Sequence, residues 1–222
     1  MALFSFIRKH KDLGITGSFA RWYDKNTRET RLNEMREYAN EVTKHVKDGA
    51  NILEIAPGPG YMSIELAKKG NFNITGMDIS PDFVEICKTN AKNENVNVTF
   101  LEGNVSAMPF EENKFDFIFC SAAFKNFKEP VVALKEMYRV LKNSGIVLIV
   151  DMRRDVTKQG LEEEVKKITK TGFERFWVKR TFKNLAKYAY KKDEFIEMIK
   201  QTPFAKNEIQ ESGIGFYVFL YK

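Results

Sequence analysis

From residue 51 to residue 150 the sequence sets short, nearly unbroken apolar runs against stretches patterned for helix. The runs are Ile52 to Ala56, Phe72 to Met77, Val96 to Leu101, Phe115 to Cys120 and Ile146 to Val150. They are rich in β-branched and aromatic residues, as strands are. A strand apolar on both faces has to be covered on both faces, and the intervening helices supply that cover. The pattern therefore predicts an α/β chain built on a parallel sheet.

A helix follows the Pro-Gly break after the first run and continues through Leu66. Ser80 stands as an N-cap before Pro81, which fits a first helical turn, so a second helix is predicted to about Asn93. A third runs from about Val131 to Leu141. Ahead of the sheet, Leu32, Met35, Ala39, Val42 and Val46 recur at three- and four-residue spacing, which predicts a helix over about 30–47. Beyond Asp151 helices are predicted near 157–171, 178–189 and 192–200. Two strands, about 206–211 and 215–221, are turned by Ser212-Gly213 and form an antiparallel hairpin. The fold class expected is a Rossmann-like, doubly wound, seven-stranded, mostly parallel sheet with an antiparallel C-terminal strand and helices on both faces.

Composition removes several classes of function. At 222 residues, 43% hydrophobic and 30% charged, the chain can bury a core and is no disordered or collagen-like polymer. Its longest uncharged apolar stretches fall far short of the roughly 20 residues of a membrane span. The opening MALFSFIRKH lacks the layout of a signal peptide, and neither end carries a lipidation signal, so a cytoplasmic protein is expected. Two cysteines, Cys87 and Cys120, are too few for a disulfide framework or a Cys-rich metal site, and no metal is expected.

The stretch Glu54-Ile-Ala-Pro-Gly-Pro-Gly60 joins a predicted strand to a predicted helix. In open α/β sheets ligands bind beyond the carboxyl ends of the strands, and glycine lets the backbone come close to them. Eighteen residues after Gly60, Asp78 ends the second strand, where a carboxylate accepts hydrogen bonds from both hydroxyls of a ribose. These features specify an adenosine-containing cofactor without choosing one. Gly58-Pro-Gly60-Tyr-Met-Ser63 is close to a dinucleotide fingerprint, and a pyrophosphate would also find a helix N-terminus there.

Later residues carry a more specific resemblance. Gly103-Asn104 leads to Met108-Pro109-Phe110, Phe115-Asp116-Phe117 enters the fourth strand, and Glu136 precedes Arg139-Val-Leu-Lys142 and Gly145. With Glu54 and Asp78, these make residues 50–151 resemble the class I S-adenosylmethionine-dependent methyltransferases, small-molecule branch, similar to the ubiquinone/menaquinone C-methyltransferases. The resemblance implies a single methyltransferase domain over 1–222. Its parts would be an N-terminal helical lid (1–48), a cofactor-binding core (49–151), a helical substrate lid (152–205) and a C-terminal hairpin (206–222).

It also implies roles. The backbone of Ala56, Pro57, Gly58 and Gly60 would wrap the methionine portion of S-adenosyl-L-methionine, and Glu54 would favour its ammonium group. Asp78 would take the ribose, Ile79 would pack on adenine, and Asn104 and Val105 would read the adenine edge. Ser121 would lie beneath the sulfonium, and Tyr23 would close over the cofactor from the lid. The chain departs from the family at two of these positions. Ala56 replaces a glycine, which requires a negative φ there. Asn104 replaces an aspartate, although an amide oxygen can still accept from an adenine amino group.

No general base is evident. His10 and His45 are read as surface or packing residues, and after the fourth strand the chain reads Ser-Ala-Ala-Phe-Lys125-Asn126 where relatives often carry histidine. Substrate-facing candidates are Lys125, Asn126, Arg153 and Arg154. The arginine pair points to an anionic acceptor, since guanidinium binds carboxylate or phosphate in two-pronged fashion.

Charge is uneven. Residues 151–222 carry 16 basic against 11 acidic residues, and Arg175 to Lys192 holds seven basic and no acidic ones. Residues 173–192 admit three readings: aromatics roofing the substrate pocket, RNA binding, or contact with anionic lipid. The function expected is methyl transfer to a small molecule, anionic or aromatic. The alternatives are an RNA methyltransferase, with nucleic acid the lesser expectation, and a cofactor-binding module without catalysis.

Overall fold

The computed structural model describes residues 11–169 and 171–222. His10 and the rest of residues 1–10 of the expected lid lie outside the described residues. Helix α1 spans Gly17–Thr43. The core then alternates β1 (Asn51–Ile55), α2 (Tyr61–Ala67), β2 (Asn73–Asp78), α3 (Pro81–Asn93), β3 (Thr99–Glu102) and β4 (Phe115–Ser121). After a short 3-10 turn at Phe124–Asn126 come α4 (Pro130–Val140) and β5 (Leu141–Met152). Helices α5 (Lys158–Ile168), α6 (Gly172–Ala186) and α7 (Lys192–Ile199) precede β6 (Lys206–Ser212) and β7 (Gly215–Tyr221).

The strands form one seven-stranded sheet in the order β3-β2-β1-β4-β5-β7-β6. β1 to β5 pair in parallel, and β7 runs antiparallel between β5 and β6. The chain order reverses between β1 and β4, so the carboxyl ends of those strands flank the crevice where such sheets bind ligands. One core layer, with Leu53, Ile118 and Ile149, packs beneath α4 and α7. The other, with Ile52, Phe117, Phe119 and Leu148, packs beneath α1 and α2.

The residues that carried the family resemblance hold this frame together. Glu136 accepts from Met108 N at 2.9 Å and pairs with Arg139, whose Nη1 and Nη2 donate to Phe110 O and Met108 O at 2.7 and 3.0 Å. This clamp fixes the loop between β3 and β4 against α4. Asp116 accepts from Asn51 N and from Lys142 Nζ, both at 2.8 Å, tying the starts of β1, β4 and β5.

Three boundaries differ from expectation by five residues or more, among them the start of α6, at Gly172 rather than about 178. α1 begins at Gly17 rather than about 30, because residues 17–29 have no clean apolar period and are held by polar contacts instead. Tyr61 donates its hydroxyl to Asp24 at 2.7 Å, and Arg28 reaches Asn90 Oδ1 at 2.5 Å. β5 begins at Leu141 rather than Ile146, since Leu141 already pairs with Phe115 across a register shift.

Candidate functional site

Ile55 and Met77 lie opposite each other in the parallel β1–β2 register, so the two strands end side by side. The glycine loop turns away from β1 over that junction. Ala56 N donates to Met77 O at 2.8 Å, and Gly58 N donates to Asp78 Oδ2 at 3.0 Å. Asp78 Oδ1 accepts from Ser80 N at 2.9 Å. Each carboxylate oxygen keeps a lone pair for a further donor, and burial raises the Asp78 pKa against the pull of these hydrogen bonds.

Gly58 and Gly60 adopt φ of +56° and +80°. Gly60 does not line the crevice. It sits behind the loop, where an added Cβ would meet Cys87 Sγ at 2.9 Å and Phe100 Cζ at 3.2 Å. Ala56 also has a positive φ, +54°, so the negative value its side chain was expected to require is corrected. The loop needs a left-handed residue immediately after β1, and alanine is held there at a cost of about 1–2 kcal/mol. Ala56→Gly should remove that strain but add about 0.4–1 kcal/mol of unfolded-chain entropy. A net gain of about 0 to 1.6 kcal/mol is expected in urea unfolding, and a lower midpoint would show that Ala56 is held by its contacts.

Above the junction opens a cavity of about 590 Å³. Tyr23, Glu54, Ala56, Pro57, Gly58, Asp78, Ile79, Asn104, Val105, Ser121 and Asn126 all line it. Glu54 is buried, accepting from Ser63 N at 3.0 Å and from Ser63 Oγ. Burial lifts its pKa from 4.5 to about 7, opposed by the Ser63 hydrogen bonds, raised further by Asp78 and lowered slightly by Arg31. Asn104 turns its Oδ1 to Ser106 N at 2.8 Å, leaving its amide N–H2 and one oxygen lone pair for a ligand.

The remaining candidates are engaged elsewhere. Lys125 is buried beside the crevice, its Nζ 2.8 Å from Asp151 Oδ1 and also on Ala122 O, so it supports the loop after β4 from behind. Arg153 pairs with Asp155 and Glu211, and Arg154 with Glu194. Those acidic partners satisfy the guanidinium groups away from the cavity, and neither arginine lines it. His45 pairs with Glu41 and lies against the rings of Phe117 and Phe219, outside the cavity lining. Among the described residues nothing beyond Phe127 lines the cavity, so α5 to α7 do not roof it.

Sequence reasoning missed Arg31, which lines the cavity from α1. Its Nε lies 2.8 Å from Glu34 Oε2, within ion-pair distance, yet this buried N–H makes no hydrogen bond. Burial disfavours its charge, but Glu34, with Tyr23 and Tyr38, keeps its pKa above the ordinary value. The available signal was its position four residues before Met35, a lone arginine on the apolar face of the helix. The segment from Lys11 to Thr16 falls within the expected lid (1–48), although none of its residues was singled out. It crosses the cavity mouth, tied by Lys128 N to Asp12 Oδ1 at 3.0 Å and by Ser80 Oγ to Ile15 O at 2.5 Å.

The composition of this site suits S-adenosylmethionine: a carboxylate with spare lone pairs for a ribose, a glycine loop open at Gly58, and Glu54 and Arg31 for the two charges of an amino acid. Comparison with known proteins agrees. Residues 53–149 match the family model described as a methyltransferase domain. The chain is 32% identical over 162 residues to a demethylmenaquinone methyltransferase of Staphylococcus haemolyticus, covering 72% of this chain and 63% of that one. It is 33% identical over 100 residues to the demethylmenaquinone methyltransferase of Chlorobaculum tepidum, covering 45% and 40%. The chain thus spans less than two thirds of the length of these relatives.

In fold it is similar to a SAM-dependent methyltransferase from Aquifex aeolicus, with a TM-score of 0.69, 18% identity and coverage of 94% and 99%. It is also similar to the plantazolicin methyltransferase solved with a desmethylPZN analog and SAH, with a TM-score of 0.66, 18% identity and coverage of 91% and 88%. Residues 53–149 are thus similar to the methyltransferase domain of that family model, and the chain is similar to part of the demethylmenaquinone methyltransferases.

Proposed function

We propose that the chain transfers the methyl group of S-adenosylmethionine to a small, largely apolar acceptor. The observation that carries this reading is the junction of β1 and β2, where Gly58 N and Asp78 meet beneath a cavity of about 590 Å³. When bound, the cofactor supplies a methyl group already made electrophilic by its sulfonium. The chain's residues bind, orient and exclude water. Asp78 accepts from the ribose hydroxyls, and the Ala56–Gly60 backbone approaches the amino-acid end. Glu54 receives the ammonium, while Arg31, ion-paired with Glu34, turns its guanidinium toward the carboxylate.

Aligning two reactants in a dry pocket supplies up to about 7–11 kcal/mol of the barrier in favourable cases. Beside Lys11, Asp12 and Thr16 and the polar Asn104, Ser121 and Asn126, most of the remaining lining is apolar or aromatic, with Leu13, Phe19, Met35 and Phe127, which favours an aromatic acceptor over a highly charged one. The case for an anionic acceptor loses its main support, because Arg153 and Arg154 are paired with acidic residues elsewhere. The relatives' names make a demethylated quinone the first acceptor to try.

Titration calorimetry tests the cofactor assignment. S-adenosylmethionine should bind and NAD should not; heat with NAD alone would overturn the reading. Asp78→Ala should weaken S-adenosylmethionine about 10- to 100-fold, the loss of one or two charge-assisted hydrogen bonds. A folded variant that binds as tightly as the parent would remove Asp78 from the ribose site. Methyl transfer from labelled cofactor to a soluble demethylated quinone then tests the activity.

A further inference from the structure

Helix α6 has no buried residue, although it carries six large apolar side chains, Phe173, Phe176, Trp177, Val178, Phe182 and Leu185. Two faces account for this. Val178, Phe182 and Leu185 are half-buried and turn inward, where α6 packs against α5. Lys179 also turns that way and pairs with Glu162. The opposite face follows the spacing 173, 176, 177, 180, 183 and 187, which lie on one side of a helix. On it Phe173 is 75% exposed, Phe176 61% and Trp177 49%. Arg180, Lys183 and Lys187 continue the same row and are exposed. Single exposed apolar residues are ordinary, but a cluster of three rings beside a row of cations marks an interaction surface.

Charge identifies the partner's sign. Arg175 to Lys192 contains no acidic residue. Lys183 and Lys187 also line a cleft of about 300 Å³, together with Arg154 and Lys158 and, among the described residues, with no carboxylate in its lining. A second copy of this chain offering the same face would be repelled. Ring geometry identifies the partner's kind. Trp177 meets Phe173 and Phe176 edge-on, at interplanar angles of 70° and 80° and centroid distances of 6.2 and 5.6 Å. The rings close on one another as a single apolar wedge, whereas nucleobase stacking needs separate open ring faces. Aromatics on one end of a helix face with cations on the next turns are what an interfacial helix presents to anionic lipid.

We propose that the outer face of α6 docks on an anionic phospholipid surface. Phe173, Phe176 and Trp177 enter the boundary between headgroups and acyl chains, and Arg180, Lys183 and Lys187 rest on lipid phosphates. The contact leaves the methyl-transfer cavity free, since no residue of α6 lines it. It stands whether or not the acceptor is a quinone.

Flotation with vesicles tests this on the full chain. Phosphatidylglycerol-rich vesicles should carry the protein upward, and pure phosphatidylcholine vesicles should not. Replacing both Phe173 and Trp177 by Ala should lower partitioning about tenfold or more, because buried ring area supplies much of interfacial affinity. In a Trp22→Phe background the emission of Trp177 should shift to shorter wavelength on anionic vesicles. S-adenosylmethionine affinity should be unchanged in the double variant, which separates failure of docking from failure of the cofactor assignment. Absence of flotation, equal partitioning to both vesicle types, or an unaffected double variant would overturn the proposal. So would single-stranded RNA that binds through the same two rings and prevents flotation.

Discussion

Asp151→Ala should lower the stability of the protein by about 3–5 kcal/mol, the loss found when one partner of a buried ion pair is removed. Lys125 and Asp151 are both almost wholly buried, 2.8 Å apart at the end of β5. Without the carboxylate, the Lys125 ammonium keeps only Ala122 O as a partner. Lys125→Met should cost less, because the carboxylate left behind still accepts from Lys125 N at 2.9 Å and Met152 N at 2.7 Å. The order of the two variants in urea unfolding is the test. If Lys125→Met proves the worse, the backbone donors do not satisfy Asp151 as argued. The same pair backs the turn that presents Ser121, Ala122, Ala123 and Asn126 to the cavity, so Asp151→Ala should also weaken the bound cofactor.

Glu54→Gln should have the opposite effect on stability. The folded pKa of Glu54, about 7 against an ordinary 4.5, means that the folded state holds its proton more tightly than the unfolded chain does. Stability from this group is therefore complete below pH 4.5 and declines as the pH rises toward 7. At about 1.4 kcal/mol per unit, ionising the buried carboxyl costs the ligand-free protein on the order of 3 kcal/mol above pH 7. Glutamine carries no such cost, so the variant should be more stable than the parent at pH 8 and little different at pH 4.5. Cofactor affinity should change in the other direction. The parent should bind S-adenosylmethionine more tightly as the pH passes upward through about 7, and the variant should bind weakly at every pH. A variant that is destabilised at pH 8, or that binds as tightly as the parent, would separate Glu54 from the ammonium.

Both predictions rest on contacts that differ in how readily the sequence discloses them. Ser80 and Pro81 announce the start of α3 because capping is local, and Ser80 Oγ does accept from Phe83 N. Glu54 and Asp78 were legible because each lies at or one residue before the end of its strand and parallel pairing brings neighbouring ends together. The positive φ of Ala56 was not legible, since it follows from the tertiary demand that Ala56 N reach Met77 O. Arg153 and Arg154 misled for a similar reason: Glu211 and Glu194 lie 58 and 40 residues away along the chain. The first half of α1 escaped because Asp24, Arg28, Tyr61 and Asn90 hold it by hydrogen bonds, which leave no apolar period to read.

The placing of β7 has a consequence for how the chain comes together during synthesis. β6 is made first but pairs as a strand only with β7, which must slot between it and β5. Until residues 215–221 emerge from the ribosome, β5 therefore presents an open apolar edge and β6 has no strand to join. Val147, Leu148 and Ile149 then find Leu220, Phe219 and Val218 in a single closing step. Seventy residues of separation make that closure late and slow compared with the local β1–β2 pairing. The nascent protein is exposed to self-association through β5 for as long as it waits.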